Sequence, residues 1–296
     1  MLGQKCLYLG LGVMGYRIAG RLAGKFPVAV WNRTNAKATA HAEEYKTQAM
    51  LGTTPFENDI ADVNVILSCL PTSTEVMTMA QAAPDRNGNP LVWIDNTSGV
   101  PEESLEISKV LEPKGIQFID APVSGGRKGA AAGSLTIMAG GSEEAMTSVR
   151  PVLEQMGQNI IHLGEKVGTG HAVKGLNNML FASNLLLAMK GAQSLIAYGI
   201  DPDKALTAMM TSSGGSNAMG RVHEYVTNNK TIDYSFLANL LVKDVNIGLS
   251  LVPHEDDDNV WTALNKIRDT YEASARDAGW DSSQVFDAYD FIETKK

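Results

Sequence analysis

The chain has 296 residues, a length that at about 150 residues per domain suggests two domains. Hydrophobic residues make up 44% and charged residues 20%, an ordinary globular balance that argues against long disordered stretches. The net charge of −8 repels phosphate backbones and argues against a general nucleic-acid binder, and no uninterrupted apolar run approaches the ~20 residues of a membrane span.

The start, Met1-Leu2-Gly3-Gln4-Lys5, runs straight into a strand-like segment without the layout of a signal peptide. Cys6 and Cys69 lie in apolar strand-like runs where buried thiols are common, and no CxxC pair occurs. The expectation is a soluble, cytoplasmic protein with no membrane and no nucleic-acid partner.

Along the first half, strands are expected at Cys6–Leu9, Val28–Trp31, Val63–Leu70, Leu91–Asp95, Ile116–Asp120, Leu135–Ala139 and Asn159–Leu163. Several are continuous apolar runs, which suits strands covered on both faces. Between them, Arg17–Gly24, Ala36–Tyr45, Glu75–Ala82, Pro101–Leu111 and Glu143–Met156 read as helices. This alternation implies βαβ units and a mostly parallel sheet. The rhythm then changes. A long helical pattern from His171 to about Tyr198 is followed by Pro202–Met210, Phe236–Leu251 and Val260–Ala278, also helical. Three glycines between Gly164 and Gly170 mark a joint, so the domains are expected at 1–163 and 164–296. The class is α/β followed by an all-α C-terminal domain.

Gly10-Leu11-Gly12-Val13-Met14-Gly15 fits GxGxxG between the Cys6–Leu9 run and an amphipathic stretch. In that setting Gly10 permits the tight turn, Gly12 removes a side chain that would obstruct a pyrophosphate, and Gly15 lets helix and strand pack closely. The free N–H groups of the helix start then face the phosphates. About 20 residues later, an acid would bind the 2′-hydroxyl of NAD. This chain has Asn32-Arg33-Thr34 and then Lys37 instead. A guanidinium and a hydroxyl suit a 2′-phosphate, so NADP(H) is expected to be preferred over NAD(H).

Asp120-Ala121-Pro122-Val123-Ser124-Gly125-Gly126 ends a strand with little steric cover over its N–H groups. Ser124, Gly125 and Gly126 could cradle a carboxylate, or form a plain turn. On the long helix, Lys174, Asn177 and Asn178 stand at i, i+3 and i+4 and share a face. Val173, Leu176, Met179 and Leu180 flank them, which suggests a polar trio on a largely buried helix rather than a solvated lysine.

These residues resemble the β-hydroxyacid dehydrogenase family, the group of 3-hydroxyisobutyrate dehydrogenases and tartronate semialdehyde reductases. The matching motifs are Gly10–Gly15, Asp120–Gly126 with Gly129, Gly168-Thr169-Gly170 leading to Lys174 and Asn178, and Lys243-Asp244, in family order over most of the chain. The resemblance implies a Rossmann-type dinucleotide-binding domain, then a helical domain joined by the lysine helix, assembled as a homodimer or homotetramer. It implies Lys174 as catalytic acid/base, Asn178 as the residue that orients the substrate, and Ser124-Gly125-Gly126 as the seat of the substrate carboxylate. It further implies that Lys243 closes over substrate and nicotinamide, and that Leu70, Pro71 and the loop Asn96-Thr97-Ser98 touch the cofactor. Ser98 stands where the family commonly has Thr. The substrate implied is a small carboxylate-bearing carbonyl or hydroxy acid, a β-hydroxy acid and its semialdehyde.

Two stretches depart from that pattern. Pro253-His254-Glu255-Asp256-Asp257-Asp258-Asn259 replaces an apolar link; without a second ligand cluster it reads as a solvated loop rather than a metal site. Thr211–Asn217 is a polar connector with no assigned role. Two alternatives share the architecture: an imine reductase, against which Lys174 counts, and a non-catalytic NADP-binding regulator, against which the intact Lys174 and Asn178 pair counts.

Overall fold

The computed structural model describes residues 4–86, 88–232, 236–255 and 258–294. Met1–Gly3, and Asp256 and Asp257 of the acidic run, lie outside the described residues. Two compact units divide after Lys174: Met1–Lys174 and Gly175–Lys296.

In the first unit, β1 (Cys6–Leu9), β2 (Val28–Trp31), β3 (Gln48–Met50), β4 (Val65–Ser68), β5 (Leu91–Asp95) and β6 (Ile116–Asp120) form one sheet. Its order is β3-β2-β1-β4-β5-β6 and every pairing is parallel. That is the doubly wound order whose switch point falls between β1 and β4. The apolar runs are continuous because both faces are covered. Cys6 and Tyr8 pack into one core with Ile18, Ala19 and Leu22 of α1 (Gly15–Ala23) and Val149 and Leu153 of α6 (Glu143–Met156). Leu7 and Leu9 point the other way, into a core with Val76 and Ala80 of α3 (Ser73–Ala82) and Ile107 and Leu111 of α4 (Pro101–Leu111). α2 (Asn35–Tyr45) connects β2 to β3. Thr72 caps α3 and exchanges bonds with Glu75, which fixes that helix start just beyond β4.

A smaller sheet follows, in the order β7-β8-β9. β7 (Val123–Ser124) runs antiparallel to β8 (Leu135–Ala139), which runs parallel to β9 (Gly157–His162). Between β7 and β8 lies α5 (Gly126–Ala132). The sequence reading omits β3, β7 and α5. All three are too short to show a period, and α5 opens on glycine.

α7 (Thr169–Ala197) carries the chain from the first unit into the second. By length and composition alone it is long and apolar enough to cross a membrane, although Lys174, Asn177 and Asn178 interrupt its apolar run. Met179, Ala182, Leu185, Met189 and Ala192 form the core of the helical unit with Leu206 of α8 (Pro202–Met210), Val222 of α9 (Asn217–Thr227), Leu241 and Val245 of α10 (Ala238–Ser250), Tyr271 of α11 (Asn259–Ala278) and Tyr289 of α12 (Asp287–Thr294). α9 and α12 were also not expected. The polar stretch Thr211–Asn217 ends in Ser216, whose hydroxyl accepts from Met219 N and so starts α9. Val173 and Leu180 are 38% and 57% exposed, against the expectation that the apolar flank of the polar trio is buried.

Candidate active site

The glycine turn sits where the sheet order reverses. Gly10 follows β1 with φ +96°, and a Cβ there would land on the Cys69 carbonyl oxygen just beyond β4. A Cβ on Gly15 would land on the Gly10 carbonyl oxygen and lie 3.0 Å from the Tyr8 ring. Gly12 differs: nothing lies within 4 Å of the position its Cβ would take. The first and third glycines are required by packing, and the second leaves an open approach to the backbone, which is the cradle a pyrophosphate needs. No side chain caps α1, and Tyr16 N and Arg17 N already donate to Gly12 O and Met14 O, so the N–H groups ahead of Tyr16 are the ones an anion could meet. The residues present therefore fit a dinucleotide.

Asn32, at the end of β2, holds this turn: its Oδ1 accepts from Leu11 N at 2.9 Å and its Nδ2 donates to Thr34 O at 3.3 Å. Arg33, Thr34 and Lys37 follow it, all exposed, with no acid at the ribose position. Val13 is 48% exposed on the turn and Met14 is partly buried against the core.

Beyond β4 and β5, a second set of bonds shapes the crevice. Leu70 N donates to Thr97 Oγ1 at 3.1 Å, so the half-buried Leu70 and exposed Pro71 are tied to the loop that carries Ser98. Asn96 is buried; its Nδ2 donates to Ala121 O at 2.8 Å and its Oδ1 accepts from Tyr8 Oη at 3.2 Å. Burial, with Cys69 and Asp95 nearby, pushes the Tyr8 phenol well above its ordinary pKa, so it stays a neutral donor. Asn96 and Thr97 thus tie the ends of β4, β5 and β6 together. Ser124, Gly125 and Gly126 lie at the β7–α5 corner, with Gly125 exposed and φ values of +135° and +65° at the two glycines. Those values favour glycine and are compatible with a backbone N–H cradle.

In the second unit the structure brings Asn178 and Lys243 together through Asp244. Asn178 Nδ2 donates to Asp244 Oδ2 at 2.6 Å, Lys243 Nζ lies 3.0 Å from Asp244 Oδ1, and Asn177 Nδ2 donates to Asn178 Oδ1 at 3.1 Å. Asp244 is 3% exposed and Asn178 is 5% exposed. A carboxylate accepts only, so it fixes which end of the Asn178 amide is the NH2 group. A hydrogen bond to a buried charge is worth about 1.5–3 kcal/mol, enough to hold the amide in one orientation. Lys174, half-buried, stands one turn before Asn178 on α7.

Asp244 is the residue that sequence reasoning underused, because it was seen only as the neighbour of Lys243. Its signal was position: Lys243-Asp244 on one amphipathic helix places a carboxylate toward the core, where an amide must answer it. Among the described residues no group of three or more His, Cys, Asp or Glu side chains could hold a metal ion.

Comparison with known proteins agrees with this geometry. Residues 5–164 match the family model of the NAD binding domain of 6-phosphogluconate dehydrogenase, and residues 168–289 match that of the NAD-binding of NADP-dependent 3-hydroxyisobutyrate dehydrogenase. The 2-(hydroxymethyl)glutarate dehydrogenase of Eubacterium barkeri is 37% identical over 158 residues, 53% of this chain and 52% of that one, so the match spans about half that relative's length. The 3-hydroxyisobutyrate dehydrogenase of Pseudomonas aeruginosa is 33% identical over 232 residues, 72% of this chain and 71% of that one. A solved structure of Mycobacterium tuberculosis 3-hydroxyisobutyrate dehydrogenase with L-serine has the same fold, with a TM-score of 0.79 at 24% identity over 98% of this chain and 99% of that one. The glycine turn on a doubly wound sheet, the lysine helix and the matched models together make the chain a member of the β-hydroxyacid dehydrogenase family, oxidoreductases that act on the CH–OH group of hydroxy acids.

Proposed function

We propose that the chain interconverts a small β-hydroxy acid and its semialdehyde, with NADP(H) preferred over NAD(H) and Lys174 as the acid/base. The observation that carries this reading is a half-buried lysine on α7, one turn before an amide locked by the buried Asp244. When bound, the nicotinamide would supply or accept the hydride. Reduction of a carbonyl leaves an alkoxide oxygen, and an ammonium within hydrogen-bond reach stabilises and protonates it, worth about 10²–10⁴-fold. Lys174 has that role here, and in oxidation its neutral amine takes the hydroxyl proton. Asn178 orients the substrate oxygen, and Ser124, Gly125 and Gly126 take the substrate carboxylate through backbone N–H groups and one hydroxyl. Lys243, paired with Asp244, closes over substrate and cofactor.

Arg33, Thr34 and Lys37, exposed beyond β2 with no acid beside them, support the NADP(H) preference through charge-assisted bonds to a 2′-phosphate. Leu180, Leu187 and Tyr198, 57%, 64% and 84% exposed, support a homodimer or homotetramer that covers this apolar surface. Both cysteines are thiols, in keeping with the cytoplasm.

A screen that follows NADPH oxidation across short semialdehydes and keto acids, with a cyclic imine included, tests the reading. Turnover of a carboxylate-bearing carbonyl is the expected result. Turnover of the imine alone would assign the chain to imine reduction, and tight NADPH binding without any turnover would assign it to regulation.

A further inference from the structure

We propose that Asp120, His171 and Asp95 are positioning residues for Lys174: buried carboxylates at the ends of two adjacent strands clamp the first turn of α7 and so set where the lysine stands. The inference rests on Lys174 being the acid/base.

Asp120 is the last residue of β6 and is fully buried. Its Oδ1 accepts from Gly168 N at 2.7 Å and its Oδ2 accepts from His171 N at 2.9 Å. A helix start leaves its first N–H groups without partners inside the helix, and the positive end of its dipole favours an anion. Such caps usually come from the residue beside the helix. Here a single carboxylate from another strand takes two of the N–H groups, so the cap is also a tether between sheet and helix. Burial pushes the Asp120 carboxyl pKa above its ordinary value, and the nearby His171 ring and the backbone N–H donors offset only part of that rise.

His171, in the same turn, carries the second tether. Its ring is fully buried, with Nδ1 2.6 Å from Ser104 Oγ of α4 and Nε2 3.7 Å from Asp95 Oδ2 at the end of β5. Asp95 Oδ1 already accepts from Ser68 Oγ at 2.7 Å and from Thr97 N at 3.1 Å. Asp95 Oδ2 and His171 Nε2 have no hydrogen-bond partner, and they face each other inside the protein. A lone pair on Nε2 would oppose the carboxylate, whereas an N–H there would be attracted to it.

The glycines around this turn leave no slack. A Cβ on Gly99 would lie 2.7 Å from His171 Cε1, and one on Gly170 would lie 2.8 Å from Asp120 O. One residue of slip along a helix is a 1.5 Å rise and about 100° of rotation, which would break both Asp120 bonds and swing Lys174, three residues after His171, off its face. Misplacement of a reacting group by about 1 Å can lower a rate about 10²-fold.

The test uses the full chain with Asp120→Asn, His171→Leu and His171→Gln, each alone and combined with Lys174→Ala, measuring kcat, KM and the NADPH Kd. Asp120→Asn puts an NH2 group against a backbone N–H, and His171→Leu removes both ring nitrogens. Each is expected to lower kcat about tenfold or more with the NADPH Kd within about twofold, and to add nothing to the loss in Lys174→Ala. His171→Gln keeps a donor near Asp95 and is expected to recover most of the rate. Wild-type kcat in Asp120→Asn and His171→Leu, or losses that multiply with Lys174→Ala, would overturn the inference and leave the lysine's own role intact. Wild-type kcat in Lys174→Ala would instead remove the catalytic reading itself. Should Asp120→Asn fail to fold, the comparison of His171→Leu with His171→Gln decides alone.

Discussion

Arg33 stands exposed on the turn after β2, with its neighbour Asn32 used to hold the glycine turn through Leu11 N. Asn32 therefore has a structural job, separable from the electrostatic one proposed for Arg33. Arg33→Asp is expected to weaken NADPH binding by about 10-fold or more, the loss of a charge-assisted bond plus repulsion of the 2′-phosphate, with NADH changed little. Fluorescence titration of both nucleotides checks this, and equal losses for the two would contradict it. His41 makes a different residue-scale claim. Its Nε2 lies 3.0 Å from Tyr16 O, which can only accept, so Nε2 donates; Nδ1 meets Thr47 Oγ1 at 2.9 Å. Burial is the main cause that lowers its pKa below 6.5. A neutral native histidine contributes stability that is complete above the unfolded value and declines as pH falls toward the folded one, because the unfolded chain binds the proton first. Tm is expected to drop between pH 7.5 and 5, and His41→Gln to flatten that drop; identical slopes in the two proteins would refute the assignment.

At the scale of elements, α7 and α10 approach through paired glycines. A Cβ on Gly248 would lie 2.6 Å from Gly175 O and 2.7 Å from Met179 Cβ, and Gly248 is one turn beyond Asp244. Gly248→Ala must push the two helices apart and stretch the 2.6 Å bond between Asn178 and Asp244. The expected cost is about 1–3 kcal/mol in urea unfolding, together with a fall in kcat. Unchanged stability and rate would show that the crossing is looser than described. The same scale explains what the sequence made legible. β1, β2 and β5 were readable to the residue because both faces are buried and the apolar run is unbroken. β3 has only three residues with Gln48 exposed, and α5 begins on Gly126 and ends before Gly133, so neither leaves a period to read. Three closely spaced glycines suggested a joint near residue 164, and the family models meet between 164 and 168, while the compact units divide at Lys174. Gly168 and Gly170 are there for close packing: a Cβ on Gly168 would lie 2.6 Å from Pro101 O.

For the molecule as a whole, the site's parts were legible to different depths. The glycine turn carries its chemistry in its own spacing, since Gly10 and Gly15 are demanded by backbone contacts that any larger residue would violate. Lys174 and Asn178 were readable as one helix face, because four residues of helix bring them into line. The partners that fix them were not. Asp244 lies 66 residues from Asn178, and Asp120 lies 48 and 51 residues from the N–H groups it holds. No local pattern encodes a buried carboxylate's distant donors; the fold has to place them. The proposed reaction turns on one amine. In Lys174→Ala, NADPH titration and steady-state turnover of the substrate found in the screen should separate: a Kd within about twofold of wild type and a kcat lowered at least about 10²-fold. A variant that binds the nucleotide and turns over at the wild-type rate would contradict it.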